Sequence, residues 1–181
     1  MTRKDDAFAG LAAGLPSQAS FRPAGTIGED APAGPGIYAI RLHTGSSLPE
    51  PFETLLAARG SRLMYIGKAT SLNSRMLRNE LRGRGHGTFF RSIGAVLGFR
   101  PLAGSLTEKV NKQNYSFAKP DRDSIVAWIS ANLEVSWREL SLDEVRPLLN
   151  LDGNPLALVE LDELRVLCRR IATTAVGMLQ K

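Results

Sequence analysis

Residues that handle phosphate crowd into one stretch of this 181-residue chain. Tyr38 closes the string Gly36-Ile37-Tyr38, and Tyr65 opens the string Tyr65-Ile66-Gly67. Lys68 follows at once, and Arg75 comes seven residues later. A tyrosine hydroxyl can orient a water molecule or exchange a proton with it. A lysine is a point charge that holds a phosphate or lowers the pKa of a tyrosine beside it. An arginine presents a planar fork that clamps a phosphate. Each has a plainer reading when taken alone: strand tyrosines packed for their ring area, a solvated loop lysine, an exposed helix arginine. Both strings together, in this order, favour a phosphate-handling site.

Bringing these groups together requires particular elements. The turn chemistry of Ala33-Gly34-Pro35-Gly36 is followed by an apolar run through Ile37, Tyr38, Ile40 and Leu42, which reads as a strand. A second strand spans 62–67. Side chains alternate across a strand, so Tyr38 points away from the face of Ile37 and Ala39, and Tyr65 away from that of Met64 and Ile66. If the strands pair, both hydroxyls converge on one surface. Ser71 can cap a helix over 72–81 that carries Arg75. Residues 43–60 read as an insertion with a short helix over 52–58.

Gly83, Gly85 and Gly87 then break the pattern. A helix over 88–97 sets Phe89, Ile93, Val96 and Leu97 on one face. Residues 100–120 lack a period and read as a surface loop. A helix over 121–131 turns Ile125, Trp128 and Ile129 inward, and Leu133, Val135 and Trp137 alternate with Glu134, Ser136 and Arg138 as a half-buried strand. One or two helical turns are expected over 141–145, and a last helix over 156–173 behind Pro155; its many apolar residues fit packing on the sheet or oligomerisation. The fold class is α/β: a small sheet of three main strands, mixed or antiparallel, flanked by helices. Residues 1–30 read as a partly flexible extension, and 31–181 as one domain.

Composition bounds the remaining choices. An apolar fraction of 43% supports a core. A net charge of +5 and a pI near 9.7 permit a nucleic-acid partner without requiring one. The single cysteine, Cys168, excludes an internal disulfide and reads as a buried thiol, and with two histidines it leaves no Cys/His zinc site. No apolar run is long enough to span a membrane, and the N-terminus has no secretory pattern, so a cytoplasmic protein is expected. Monomer and homodimer both remain open.

The two strings, with Lys68 and Arg75 behind them, resemble the GIY-YIG nuclease family. The resemblance implies a DNA endonuclease that uses Mg²⁺ or Mn²⁺. It places the catalytic arginine at Arg75 and a glutamate metal ligand on a late helix, eight or nine residues before a Pro-x-x-Asn ending. Pro147-Leu148-Leu149-Asn150 matches that ending, which points to Glu139, with Glu144 next. Asn150 would brace the site or cap a turn. Asn79 stands where many relatives carry His or Tyr; His86 takes over part of that role or serves as a loop residue.

The implied mechanism is one-step hydrolysis by water. Tyr38, helped by the charge of Lys68, takes the proton. Arg75 stabilises the phosphorane-like oxygens, Tyr65 orients water or phosphate, and a metal on Glu139 stabilises the leaving 3′ oxygen. Lys109, Lys112, Lys119, Arg82, Arg84 and Arg91 either grip the duplex phosphates or form a solvated basic surface. Two other readings stand beside this one. The first is a catalytically impaired DNA-binding module of the same fold. The second is an unrelated phosphate-binding enzyme, disfavoured because no P-loop or dinucleotide fingerprint is present.

Overall fold

The computed structural model of the chain describes residues 21–28, 31–107 and 115–140. Among these residues, four strands form one antiparallel sheet: β1 (Arg22–Pro23), β2 (Gly36–Leu42), β3 (Leu63–Ala69) and β4 (Leu133–Glu139), in the order β1-β4-β2-β3. Four helices accompany it: α1 (Phe52–Ala58), α2 (Asn73–Leu81), α3 (Thr88–Val96) and α4 (Lys119–Asn132). The class is the expected α/β, with antiparallel pairing and one strand more than the three anticipated. That extra strand is two residues long and contains Pro23. Proline lacks a ladder donor and is confined to edges such as this one. A segment so short carries no alternation from which to recognise it.

Residues paired directly across antiparallel strands share a face. Tyr38 lies opposite Gly67 on β3 and Trp137 on β4, and Ile40 lies opposite Tyr65 and Val135. This face, with Leu42, Met64 and Leu133, meets the helices in the main core through Met76, Leu77, Phe89, Ile93, Ile125 and Ile129. Ile37 and Ala39 occupy the other face, in a smaller cluster with Leu140, Leu63 and Ile66. α1 matches its expected range, and α3 ends one residue short of it. α4 starts two residues earlier than expected, with Pro120 in its first turn, where a missing N–H is harmless.

The structure departs from the sequence reading at two further places. Residues 115–118 are not a surface segment throughout: Tyr115 and Phe117 are buried against the core, their rings edge to face at 5.6 Å. The chain also joins the fold before residue 31, because Ala24 and Ile27 are buried in the main core. Arg82 ties that segment down. Its guanidinium donates to the carbonyls of Ala24 (3.2 Å) and Ile27 (3.0 Å) and to Ser130 Oγ (3.2 Å). The guanidinium expected to meet DNA phosphate is thus spent on internal carbonyls. The helical turns over 141–145, the helix over 156–173 and Cys168 lie outside the described residues. No described helix is long and apolar enough to cross a membrane.

Arg82→Ala would leave these carbonyls without their donor, at a cost of about 1–3 kcal/mol. The expected result is a lower melting temperature in thermal denaturation. A variant that melts with the wild type would contradict the anchoring role.

Candidate functional site

The glycines of the two strings are steric requirements. A Cβ on Gly67 would sit 2.2 Å from Cζ of Tyr38, so only glycine lets the Tyr38 ring lie flat across β3. A Cβ on Gly36 would sit 2.5 Å from the Arg138 carbonyl oxygen and 2.7 Å from Leu72 Cδ1. Gly36 thereby allows the start of α2 to press on the start of β2. The Leu72 N–H donates to Gly34 O (3.0 Å) and the Asn73 N–H to Pro32 O (2.8 Å), which fixes where α2 begins.

The Tyr38 ring is fully enclosed. Tyr65, half-buried, stacks obliquely beside it with centroids 6.0 Å apart, and Phe89 of α3 closes the far side of Tyr65 at 5.4 Å. The Tyr38 hydroxyl has no hydrogen-bond partner among the described residues, although it is buried. An enclosed phenol of this kind is held for its ring packing or awaits a ligand group.

α2 is wound as a π-helix, with Arg82 N–H donating to Leu77 O (3.0 Å), five residues back. Ser71 caps its start by accepting from Ser74 N–H at 3.2 Å. The wide winding matters for the site. On an α-helix, residues five apart point about 140° away from each other. On the wider π-helix, whose hydrogen bonds run from residue i to i+5, they come much closer to one face, and Arg75 meets Glu80 at 3.0 Å. The other Glu80 oxygen accepts from the N–H groups of Phe89 (2.9 Å) and Phe90 (3.3 Å), at the start of α3. Glu80 is fully buried, whereas the Arg75 side chain remains about one-third exposed, at 35%.

Burial pushes the Glu80 carboxyl up, while Arg75 and the α3 N–H groups pull it back. Burial is the largest single influence and tends to lower Arg75, but Glu80, Tyr38 and Tyr65 together outweigh it and raise the guanidinium above its ordinary range. Tyr38 is pushed far above its ordinary value, first by burial and then by Tyr65 and Glu80. Tyr65 is raised by burial and by Glu80. The cation that opposes both shifts is Arg75. Near neutral pH the site therefore holds two neutral phenols, beside a guanidinium that lies 3.0 Å from the enclosed Glu80 carboxyl.

The remaining expected site residues divide by location. Lys68 pairs with Ile37, so it is exposed on the opposite face of the sheet from Tyr38. The cation next to the tyrosines is Arg75, not Lys68, which removes the basis for giving Lys68 the task of aiding Tyr38. Arg91, on α3, lies over the Tyr115 ring at 5.8 Å; burial lowers its pKa first, and the charge of Arg75 also lowers it. Arg91 therefore belongs to the same electrostatic neighbourhood. Arg84 and His86 are exposed on the loop between α2 and α3. Lys119 is paired with Asp123 at 2.6 Å. Asn79 packs under that loop, where a Cβ on Gly85 would meet its Oδ1 at 2.3 Å. Lys109, Lys112, Glu144 and Asn150 lie outside the described residues.

Glu139 ends β4 opposite Gly36, on a strand rather than on a late helix. Tyr38 pairs with Trp137, so Glu139 is its diagonal neighbour on the same face, about 7–8 Å away. Among the described residues no group of three or more His, Cys, Asp or Glu side chains is gathered for a metal ion. The exposed Glu139 carboxylate, whose Oε2 lies toward Gly34 while the Tyr38 ring lies over Gly67 of β3, is of a type that serves a Mg²⁺ taking most of its shell from water and phosphate. Glu80 does not fit that task, because its oxygens face Arg75 and the α3 backbone.

Sequence reasoning missed Glu80. The family resemblance singles out Asn79, four residues beyond Arg75, and gives Glu80 no role. The usable signal was a glutamate in an apolar setting, between Leu77 and Leu81 and just ahead of a glycine-rich turn.

A model of the GIY-YIG catalytic domain matches residues 36–167, most of the chain. No curated protein and no solved structure matches it.

All three tyrosines of the chain are raised, Tyr115 to about 12 by burial against the pull of Arg91. An unfolded tyrosine ionises near pH ~10. The native state therefore holds these protons more tightly, and stability present below pH ~10 is lost as pH rises above it. Phenolate absorbance should stay low in the native protein at pH ~10 and appear together with unfolding. Ionisation of two or more tyrosines near pH ~10 in a chain still folded by circular dichroism would contradict the enclosed site.

Proposed function

The chain belongs to the GIY-YIG catalytic domain family, and on that basis we propose that it is a divalent-metal-dependent endonuclease that hydrolyses phosphodiester bonds in DNA. Family membership implies nuclease-type activity in general. The observation that carries the finer reading is the convergence of Tyr38, Tyr65 and Arg75 on one face of the sheet, with Arg75 held by Glu80 and still partly open to solvent.

Arg75 binds a non-bridging phosphate oxygen and stabilises the charge that grows there during attack. Arg91, in the same neighbourhood, adds a second positive charge, and Arg84 extends the basic surface along the loop. Tyr65, the more accessible phenol, orients water or phosphate. Tyr38 takes the proton of the attacking water, with Arg75 as the cation that favours its ionised form. Glu139 would hold the metal ion, which when bound supplies Lewis-acid stabilisation of the leaving oxygen.

The assignment of Tyr38 has a kinetic consequence. A base whose pKa lies above its ordinary range is mostly in the wrong protonation state at neutral pH. kcat/KM on a DNA substrate should therefore rise by up to about tenfold per pH unit from neutrality into the alkaline range, until the protein unfolds. Tyr38→Phe should abolish both the slope and most of the rate. A wild-type profile that is flat or falls with pH would remove Tyr38 from that role.

Supercoiled plasmid with Mg²⁺ or Mn²⁺ tests the site as a whole. Arg75→Ala should lower kcat by about 10²–10³-fold. Glu139→Ala should lose metal-dependent cutting while retaining DNA binding. Cutting by Arg75→Ala at the wild-type rate would overturn the assignment. DNA binding by the wild type without cleavage of any tested substrate would favour a binding module instead.

A further inference from the structure

We propose that Glu80 is the positioning residue of this site: its buried carboxylate sets the direction of the Arg75 guanidinium and couples it to the first turn of α3. The inference rests on the reading of Arg75 as the phosphate-binding group. It concerns a residue that neither touches substrate in that reading nor holds metal.

The geometry is specific. One Glu80 oxygen lies 3.0 Å from Arg75 Nη2. The other accepts from Phe89 N–H at 2.9 Å and Phe90 N–H at 3.3 Å. A carboxylate this enclosed persists as an anion only with such partners. Its own position is set by close packing, since a Cβ on Gly87 would approach its Oε2 to 2.6 Å and the Asn79 carbonyl oxygen to 2.2 Å.

Arginine has a long, rotamer-rich side chain, and a solvated one samples many directions. Here one end of the guanidinium lies 3.0 Å from an enclosed carboxylate oxygen that accepts no hydrogen bond among the described residues, while the side chain stays partly open to solvent. The π winding of α2 is what brings the two residues closer to one face. The first turn of α3 also carries Phe89, which packs on Tyr65. One carboxylate therefore positions the cation and the wall of the tyrosine pair. The charged and titratable groups around it are Arg75, Arg91, Tyr38 and Tyr65.

The test compares Glu80→Gln and Glu80→Asp with wild type in the full chain. Gln keeps an acceptor for the α3 N–H groups and removes the charge. Asp keeps the charge and withdraws it from Arg75 by one methylene, and it serves if the Gln variant does not fold. The first readout is the Arg75 Nη–H resonance in NMR spectra, assigned by its loss in Arg75→Lys. It should be sharp and slowly exchanging in wild type, and broadened or fast-exchanging in a folded Glu80 variant.

The second readout is cleavage of plasmid with Mg²⁺. kcat should fall at least tenfold with KM changed less than threefold. Glu80→Gln should cause little further loss when added to Arg75→Lys, because both changes act through one guanidinium. A purely structural role would lower the two backgrounds equally. An unchanged Arg75 resonance in a folded variant, or equal losses in the two backgrounds, would overturn the proposal. If the wild type cuts nothing while the resonance responds as expected, the nuclease reading fails and the positioning of Arg75 by Glu80 stands.

Discussion

A carboxylate withdrawn from water must be paired or hydrogen-bonded, and Glu80 draws partners from two elements. Oε1 forms an ion pair but accepts no hydrogen bond among the described residues, and Oε2 accepts from two backbone donors. Arg75 approaches it from α2, and two backbone N–H groups reach it from the start of α3. The π winding of α2, the tight approach at Gly87 and the placement of Phe89 against Tyr65 all surround this one group. Its charge also affects the chemistry around it. With Tyr38 and Tyr65 it raises Arg75, and after burial it adds to the upward shift of both tyrosines.

The sheet supplies a second constraint of a different kind. Tyr38 crosses Gly67 with no room for a methyl group, so the tyrosine of one string and the glycine of the other form a single steric unit. Pairing of β2 with β3 puts that unit and Tyr65 on the helix-covered face. Pairing of β2 with β4 brings Glu139 to the same face as a diagonal neighbour. Antiparallel register thus joins residues about a hundred positions apart in the chain into one surface.

This division explains what could be read in advance. Strand alternation has a period of two, and it was enough to place Tyr38 and Tyr65 together and to find the strand of Val135 and Trp137. Helix periodicity found α3 and α4, whose inward residues Phe89, Ile93, Ile125 and Ile129 are buried as expected. On α2 the winding is wider than 3.6 residues per turn, and the partner of Arg75 is Glu80, a residue for which the sequence suggested no role. Lys68 was misplaced because a lysine that follows a strand glycine was treated as a loop residue, whereas β3 continues to Ala69 and carries Lys68 to the opposite face. Arg82 looked like surface charge because nothing local reveals that Ala24 and Ile27, more than fifty positions earlier, offer it their carbonyls.

The central claim is that a scissile phosphate docks on the Tyr38–Tyr65–Arg75 face. A crystal structure with a short duplex carrying a non-hydrolysable phosphate linkage and Mg²⁺ tests it most directly. The account predicts one phosphate within hydrogen-bond distance of the Arg75 guanidinium, next to the Tyr65 hydroxyl, with the metal on Glu139. A duplex seated on the Lys68 face of the sheet, with Arg75 contacting no phosphate, would contradict it.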